Sequence, residues 1–250
     1  MCGRYAATLP PEMMVELFNL LNHIDYPPRY NIKPTEPIAV IREEHGRRTI
    51  QLARWGLVPR WVKDPRQFSL LINARIEGIE EKPAFSEAIR RHRCIVPASG
   101  YYEWYTGPDG RKQPYYVTLA DGMPMALAGL FTTWEGPNGE EVDTAAIITV
   151  PAGPDLVRIH PRTPAILQGE AVDRWLDTDQ VSGQKAVQLA LPLPPGAVRF
   201  HAVGRVIGAS TADGPDLIRP LTAEEAAANM DATPAPRKKA AAGGDQLDLF

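Results

Sequence analysis

Apolar residues recur at three- and four-residue spacing in PPEMMVELFNLLNHI (residues 10–24), which predicts an amphipathic helix whose leading prolines sit where a missing N–H costs little. A proline-punctuated stretch, DYPPRYNIKPTEP, follows and reads as a loop. The spacing then changes. IAVIREE (38–44) and RTIQLARWG (48–56) flank His-Gly-Arg and predict a hairpin, and GYYEWYT (100–106) with PYYVTLA (114–120) around GPDGRKQ predicts a second. RCIVPAS (93–99), PMALAGLFTTW (124–134), DTAAIITV (143–150) and AVRFHAVGRVI (197–207) read as further strands. Short helical segments are expected at EKPAFSEAIRRH (81–92), GEAVDRWLDT (169–178), SGQKAVQLAL (182–191) and TAEEAAANM (222–230).

Many hairpin strands with short, scattered helices and no regular strand–helix alternation predict a single α+β domain. Its expected core is an antiparallel or mixed sheet with peripheral helices. The domain is expected over residues 1–230. Residues 231–250 differ: DATPAPRKKAAAGGD has little to bury and reads as a flexible tether, yet it ends in the apolar tip QLDLF.

Composition narrows the function classes. Lys and Arg number 27 against 30 Asp and Glu, so a bulk-charge nucleic-acid coat is excluded, and any nucleic acid must use a local groove. Candidates for such a groove include Arg4, Arg54, Arg60, Arg75 and the run Arg90–Arg93, each of which also fits a solvated face. With 2 cysteines, Cys2 and Cys94, a disulfide framework and a Cys-rich zinc site are excluded. The 5 histidines show no ligand spacing, so no metal and no cofactor are expected. The first residues lack a secretory pattern and no apolar run spans a bilayer, so a soluble, cytoplasmic protein is expected.

The residue that invites chemistry is Cys2, immediately after Met1 and before Gly3. If aminopeptidase processing removes Met1, one residue presents a free α-amine and a thiol, with ordinary pKa values near 8 and 8.5. Either becomes a good nucleophile with modest tuning. Together they are a 1,2-aminothiol, which condenses with an aldehyde to an imine and closes through sulfur to a thiazolidine. An internal cysteine is more often a small buried apolar group, which is the reading for Cys94.

Eight blocks in order, MCGRYA, RYNIKPTEPI, WGLVP, LINARIEGI, PASGYYEW, KQPYYV, AAIITVPA and IHPRTPAIL, resemble those of the SRAP (SOS response-associated peptidase-like) family across about residues 1–220. The resemblance implies an α+β domain around a distorted antiparallel β-barrel. It also implies self-crosslinking to abasic sites in single-stranded DNA through the N-terminal cysteine, with slow reversal, some strand cleavage and autoproteolytic loss of Met1. On that resemblance Cys2, Asn73, Glu103 and His160 are the catalytic candidates. Glu103 would take a proton from the Cys2 amine, His160 would shuttle protons at the opened sugar, and Asn73 would orient the reacting group. By residue type alone, Glu103 fits a surface strand, His160 a loop and Asn73 a turn.

Arg4, Arg75 and Arg162 match phosphate and flanking-base contacts, and Asn31, Pro34, Trp55, Trp61 and Thr149 match groove or stacking positions. Trp55 and Trp61 read equally as core. The chain departs from the family pattern at Pro161, Thr163 and the loop near Ala209, all on the DNA-facing side of the expected site. The tip, Gln246, Leu247, Leu249 and Phe250, resembles the short peptide by which bacterial repair proteins dock on the replicative sliding clamp. The expected partners are therefore abasic single-stranded DNA and that clamp, with the protein itself a monomer. The alternative is an N-terminal-nucleophile glutaminase, since glutamine amidotransferases also begin Met-Cys-Gly. That domain normally delivers ammonia to a synthetase domain, and this chain has neither room nor a phosphate-binding motif for one.

Overall fold

The computed structural model describes residues 2–231. Its strands are β1 Tyr5–Ala7, β2 Arg29–Ile32, β3 Pro37–Glu44, β4 Arg47–Trp55, β5 Asn73–Arg75, β6 Arg93–Ala98 and β7 Gly100–Thr106. They continue with β8 Lys112–Leu119, β9 Met125–Glu135, β10 Glu141–Pro151, β11 Arg162–Pro164, β12 Ile166–Leu167 and β13 Val198–Ala202. Five short helices, α1 Pro11–Phe18, α2 Ala88–Arg91, α3 Glu170–Leu176, α4 Gly183–Val187 and α5 Ala223–Asp231, lie among them.

The expected α+β architecture is what forms. β10 pairs in parallel with β4, β4 with β3, β3 with β6, β6 with β9, and β9 returns antiparallel to β10, which closes a five-stranded mixed barrel. A second sheet, ordered β13-β8-β7-β1-β2, packs beside it. The long apolar runs of β9 and β10 follow from this closure. A strand with the barrel interior on one face and other elements on the other buries consecutive residues, here Thr144–Val150.

Local chemistry sets the turns. β3 and β4 join through His45 and Gly46, both at positive φ (50° and 70°), the two-residue turn whose twist suits a tight hairpin. At the start of β7, Gly100 is required by space, because a Cβ there would stand 2.6 Å from the Val117 carbonyl and 2.5 Å from the Tyr116 ring.

Several elements differ from the pattern-based expectation. The helix expected over residues 10–24 ends at Phe18, because Asn19 adopts the left-handed conformation (φ 51°) and caps it. Asn22 then bonds Ile50 through both amide atoms, at 2.8 and 2.9 Å, and imitates a strand partner. The helix expected over 81–92 shrinks to α2 and a 3-10 turn at Ile79–Glu81. The late strand stops at Ala202, and residues Arg205–Gly208 turn into a 3-10 helix that buries Ile207. β1, β2, β5, β11 and β12 have only two to four residues each, too short for a periodicity to declare itself.

The outer helices are anchored by a buried cation. Arg93, 2% exposed, donates to the carbonyls of Ile89, Asp177 and Val181 at 2.8 Å and to those of Trp175 and Arg90. Burial pulls its pKa down to about 10. Only the planar fork of a guanidinium reaches five carbonyls at once. R93K should therefore strand several buried carbonyls and lower the unfolding free energy by about 2–4 kcal/mol, read from urea denaturation midpoints.

Candidate active site

The second sheet delivers the N-terminus. β1 pairs antiparallel with β7, Tyr5 opposite Tyr101 and Ala6 opposite Gly100, and Tyr102 N–H donates to the Arg4 carbonyl at 3.0 Å. Continuing that register carries the residues before Tyr5 alongside Glu103. Glu103 shares a strand face with Tyr101, since strand side chains alternate. Both line a narrow cleft with Leu156, Ile159, His160 and Arg162.

From the barrel side, β5 lies in parallel beside β10, with Asn73 opposite Ile147. Asn73 Nδ2 donates to the Cys2 carbonyl at 2.8 Å, which fixes the terminal residue across a sequence separation of 71. Its Oδ1 is buried without a hydrogen-bond partner, so an acceptor stands ready beside Cys2. Cys2 is fully buried in this chain, which still carries Met1, and its thiol points a weak bond at the Arg4 carbonyl, 3.7 Å away.

Electrostatics separates the titrating groups. Burial, reinforced by the nearby Glu103 carboxylate, pushes the Cys2 thiol well up. The thiol is thus protonated at neutral pH, whereas the exposed terminus expected from the sequence would be partly ionised. Glu103 is also buried, and dehydration raises its carboxyl to about 7, with the Trp104 backbone N–H acting in the opposite sense. A carboxyl poised there exchanges a proton near physiological pH. His160 Nδ1 lies 3.0 Å from both the N–H and the carbonyl of Arg162. The N–H only donates and the carbonyl only accepts, so the tautomer of a neutral ring decides which of the two it bonds. Burial lowers its pKa and favours that neutral form.

The structure sorts the expected groove residues into surface and support. Trp61 is 59% exposed and meets Phe68 edge to face. Arg75 is exposed and Pro34 half-buried. Trp55, expected as a stacking candidate, is instead a core residue. It is fully buried, edge-on to Tyr5, with Nε1 donating to the Ile72 carbonyl at 2.9 Å. Asn31 and Thr149 are likewise buried and act through arginines. Asn31 accepts from Arg4 at 2.7 Å and donates to Ala212 O at 2.7 Å and Ala209 O at 3.3 Å. Thr149 accepts from Arg162 at 3.2 Å.

The departures from the family pattern find places too. The loop near Ala209 is held to Arg4 and Asn31 through backbone carbonyls, including Ile207 O at 2.9 Å from Arg4. Thr163 is buried and bonds the Tyr101 hydroxyl at 2.8 Å, and Pro161 accepts the Ala152 N–H at 2.9 Å. The tail candidates Gln246, Leu247, Leu249 and Phe250 lie outside the described residues. Pattern reading missed Tyr101 and Glu77. Tyr101 looks like core, and Glu77 bonds an arginine 85 positions away that no local pattern reveals. Among the described residues no group of three His, Cys, Asp or Glu is arranged to hold a metal, and no helix is long and apolar enough to cross a membrane.

Comparison with known proteins identifies relatives in sequence and in fold. The family model described as SOS response associated peptidase (SRAP) matches residues 1–210. The abasic site processing protein YedK of Escherichia coli is 31% identical over 229 residues, covering 88% of this chain and 100% of YedK. The abasic site processing protein YoqW of Bacillus subtilis is 31% identical over 221 residues, 87% of this chain and 99% of YoqW. A crystal structure of a protein from Bacteroides thetaiotaomicron superposes with a TM-score of 0.79 at 25% identity, covering 88% of this chain and all of that one.

The raised Glu103 carboxyl has a consequence for stability. Its folded pKa of about 7 exceeds the ordinary 4.5, so its protonation favours the fold below about pH 4.5, and that contribution is lost as pH rises through 7. E103Q, which stays neutral, should gain stability over wild type by on the order of 2 kcal/mol between pH 4.5 and 8, measured by denaturant titration across that range.

Proposed function

The chain belongs to the SOS response associated peptidase family, and from that premise we propose that it processes abasic sites in single-stranded DNA by capturing them covalently on Cys2. The observation that supports this reading is the hydrogen bond from Asn73 to the Cys2 carbonyl, with the Glu103 carboxylate close enough to raise the Cys2 thiol and lining one cleft with His160.

Hydrolytic loss of Met1 places a free amine on Cys2. Because burial keeps the thiol protonated, the amine reacts first. It adds to the ring-opened deoxyribose aldehyde, and Glu103 in its carboxylate form accepts a proton from nitrogen. Loss of water gives the imine. The thiol sulfur then adds to the imine carbon and its proton passes to nitrogen, closing a thiazolidine with one water released overall. His160 serves as the proton donor to the sugar oxygen, and the Asn73 Oδ1 acceptor orients the amine.

Arg4, Arg75 and Arg162 provide the phosphate contacts in this reading, Trp61 and Pro34 flank the unstacked bases, and Asn31, Trp55 and Thr149 hold those groups from beneath. A protonated, buried thiol disfavours the glutaminase alternative, in which sulfur attacks first. The tail serves as a tether whose tip, Gln246, Leu247, Leu249 and Phe250, docks on the replicative sliding clamp. The domain needs no cofactor and works as a monomer on DNA in the cytoplasm.

Wild-type protein mixed with single-stranded DNA carrying one abasic site should give a heat-stable shifted band in a denaturing gel, and C2A should give none. Ammonia release from glutamine without a band would favour the glutaminase, and a shift confined to native gels would leave only passive binding. Deleting residues 246–250 should preserve the band and remove clamp binding in a pull-down with purified clamp; unchanged clamp binding would end the docking proposal.

A further inference from the structure

Arg162 reaches the edge of the cleft already occupied. It forms an ion pair with Glu77, whose two carboxylate oxygens accept from Nη1 and Nη2, the latter at 2.9 Å. Nη2 also donates to both oxygens of Thr149. Topology makes the pair. β5 and β11 both flank the end of β10, with Thr149 opposite Arg75 on one side and Pro151 opposite Arg162 on the other. Glu77, two residues past β5, thus bridges over the end of β10 to Arg162.

The two partners are not equally held. The Arg162 side chain is 13% exposed and fixed from below by Thr149, whereas that of Glu77 is 51% exposed. Arg162 Nε is buried with no hydrogen-bond partner, so its internal contacts leave the guanidinium incompletely satisfied. The Arg162 hydrogen bond holds the Glu77 carboxyl below the ordinary carboxylate range, so it remains ionised at neutral pH.

A planar, two-oxygen anion on the fork of an arginine imitates the way a phosphate binds there. The geometry points to Glu77 as a displaceable latch: in the free protein its carboxylate fills the phosphate-binding edge of Arg162, and a DNA phosphate must displace it. The latch weakens grip on undamaged strands, from which the protein must depart, while a covalent bond at an abasic site holds regardless of that weakening. This inference rests on the single-strand reading above. The carboxylate swings outward into solvent when displaced, and the Thr149 bonds keep Arg162 in place for the incoming phosphate.

The test measures equilibrium binding of an undamaged single-stranded oligonucleotide against salt for wild type, E77Q, R162Q and the double variant, with abasic-site crosslinking of wild type in parallel. E77Q should bind about three- to five-fold tighter at low salt, an effect in the range of one exposed ion pair. Its log–log salt slope should steepen by about 0.7, one additional phosphate. In the R162Q background the same substitution should change neither. Unchanged affinity and slope in E77Q, or an equal gain with Arg162 absent, overturns the latch while wild-type crosslinking keeps the parent reading standing. A wild type that neither binds nor crosslinks overturns both, and circular dichroism of each variant separates these outcomes from misfolding.

Discussion

Hydrogen bonding along both edges of β10 holds this molecule together. Its first half pairs with β9 and β4 and closes the barrel, and its second half pairs with β5 and β11. Those two short strands contribute Asn73 and Arg162 to the site, and the loop between β10 and β11 contributes His160. A strand so placed has no free edge, and its buried backbone groups are met on both sides, which explains a run of seven consecutive buried residues in Thr144–Val150. Slippage of this strand by one residue would turn the Thr149 side chain away from Arg162 and separate Asn73 from Cys2.

The second sheet completes the site from the opposite direction. β1 is only three residues long and owes its position to β7 and β2 on either side. Arg4 is bonded by an amide oxygen and by backbone carbonyls. Arg162 is held otherwise, by a carboxylate, and the two arginines therefore present different faces to an incoming polyanion.

Burial is also what divides the chemistry. The same dehydration that raises the Cys2 thiol raises Glu103 to about 7 and favours a neutral His160. A site with little net charge at rest, yet with one carboxyl poised near neutrality, suits proton transfer to and from an amine better than the generation of a thiolate. The carboxyl is kept at an energetic cost to the fold at alkaline pH, a common exchange of stability for function.

Periodicity in the chain was enough to place the two hairpins, the long strands β9 and β10 and the α+β class, because these depend on local alternation, turn residues and runs of apolar side chains. The resemblance of ordered motifs named Cys2, Asn73, Glu103 and His160 as candidates, where residue type alone suggested a turn, a strand and a loop for the last three. Tertiary structure decided the rest. The short strands β1, β5, β11 and β12 each take hydrogen bonds from a longer neighbour. Trp55 lies in the core and Trp61 outside it, although both stand in one short aromatic segment, because barrel closure covers one and leaves the other in solvent. Asn31 and Thr149 support arginines rather than face the groove, and Glu77 meets Arg162 across 85 positions. Pairings between distant residues, and the dehydration that shifts a pKa, come into being only when the chain folds and removes water from around them, so no local pattern could announce them.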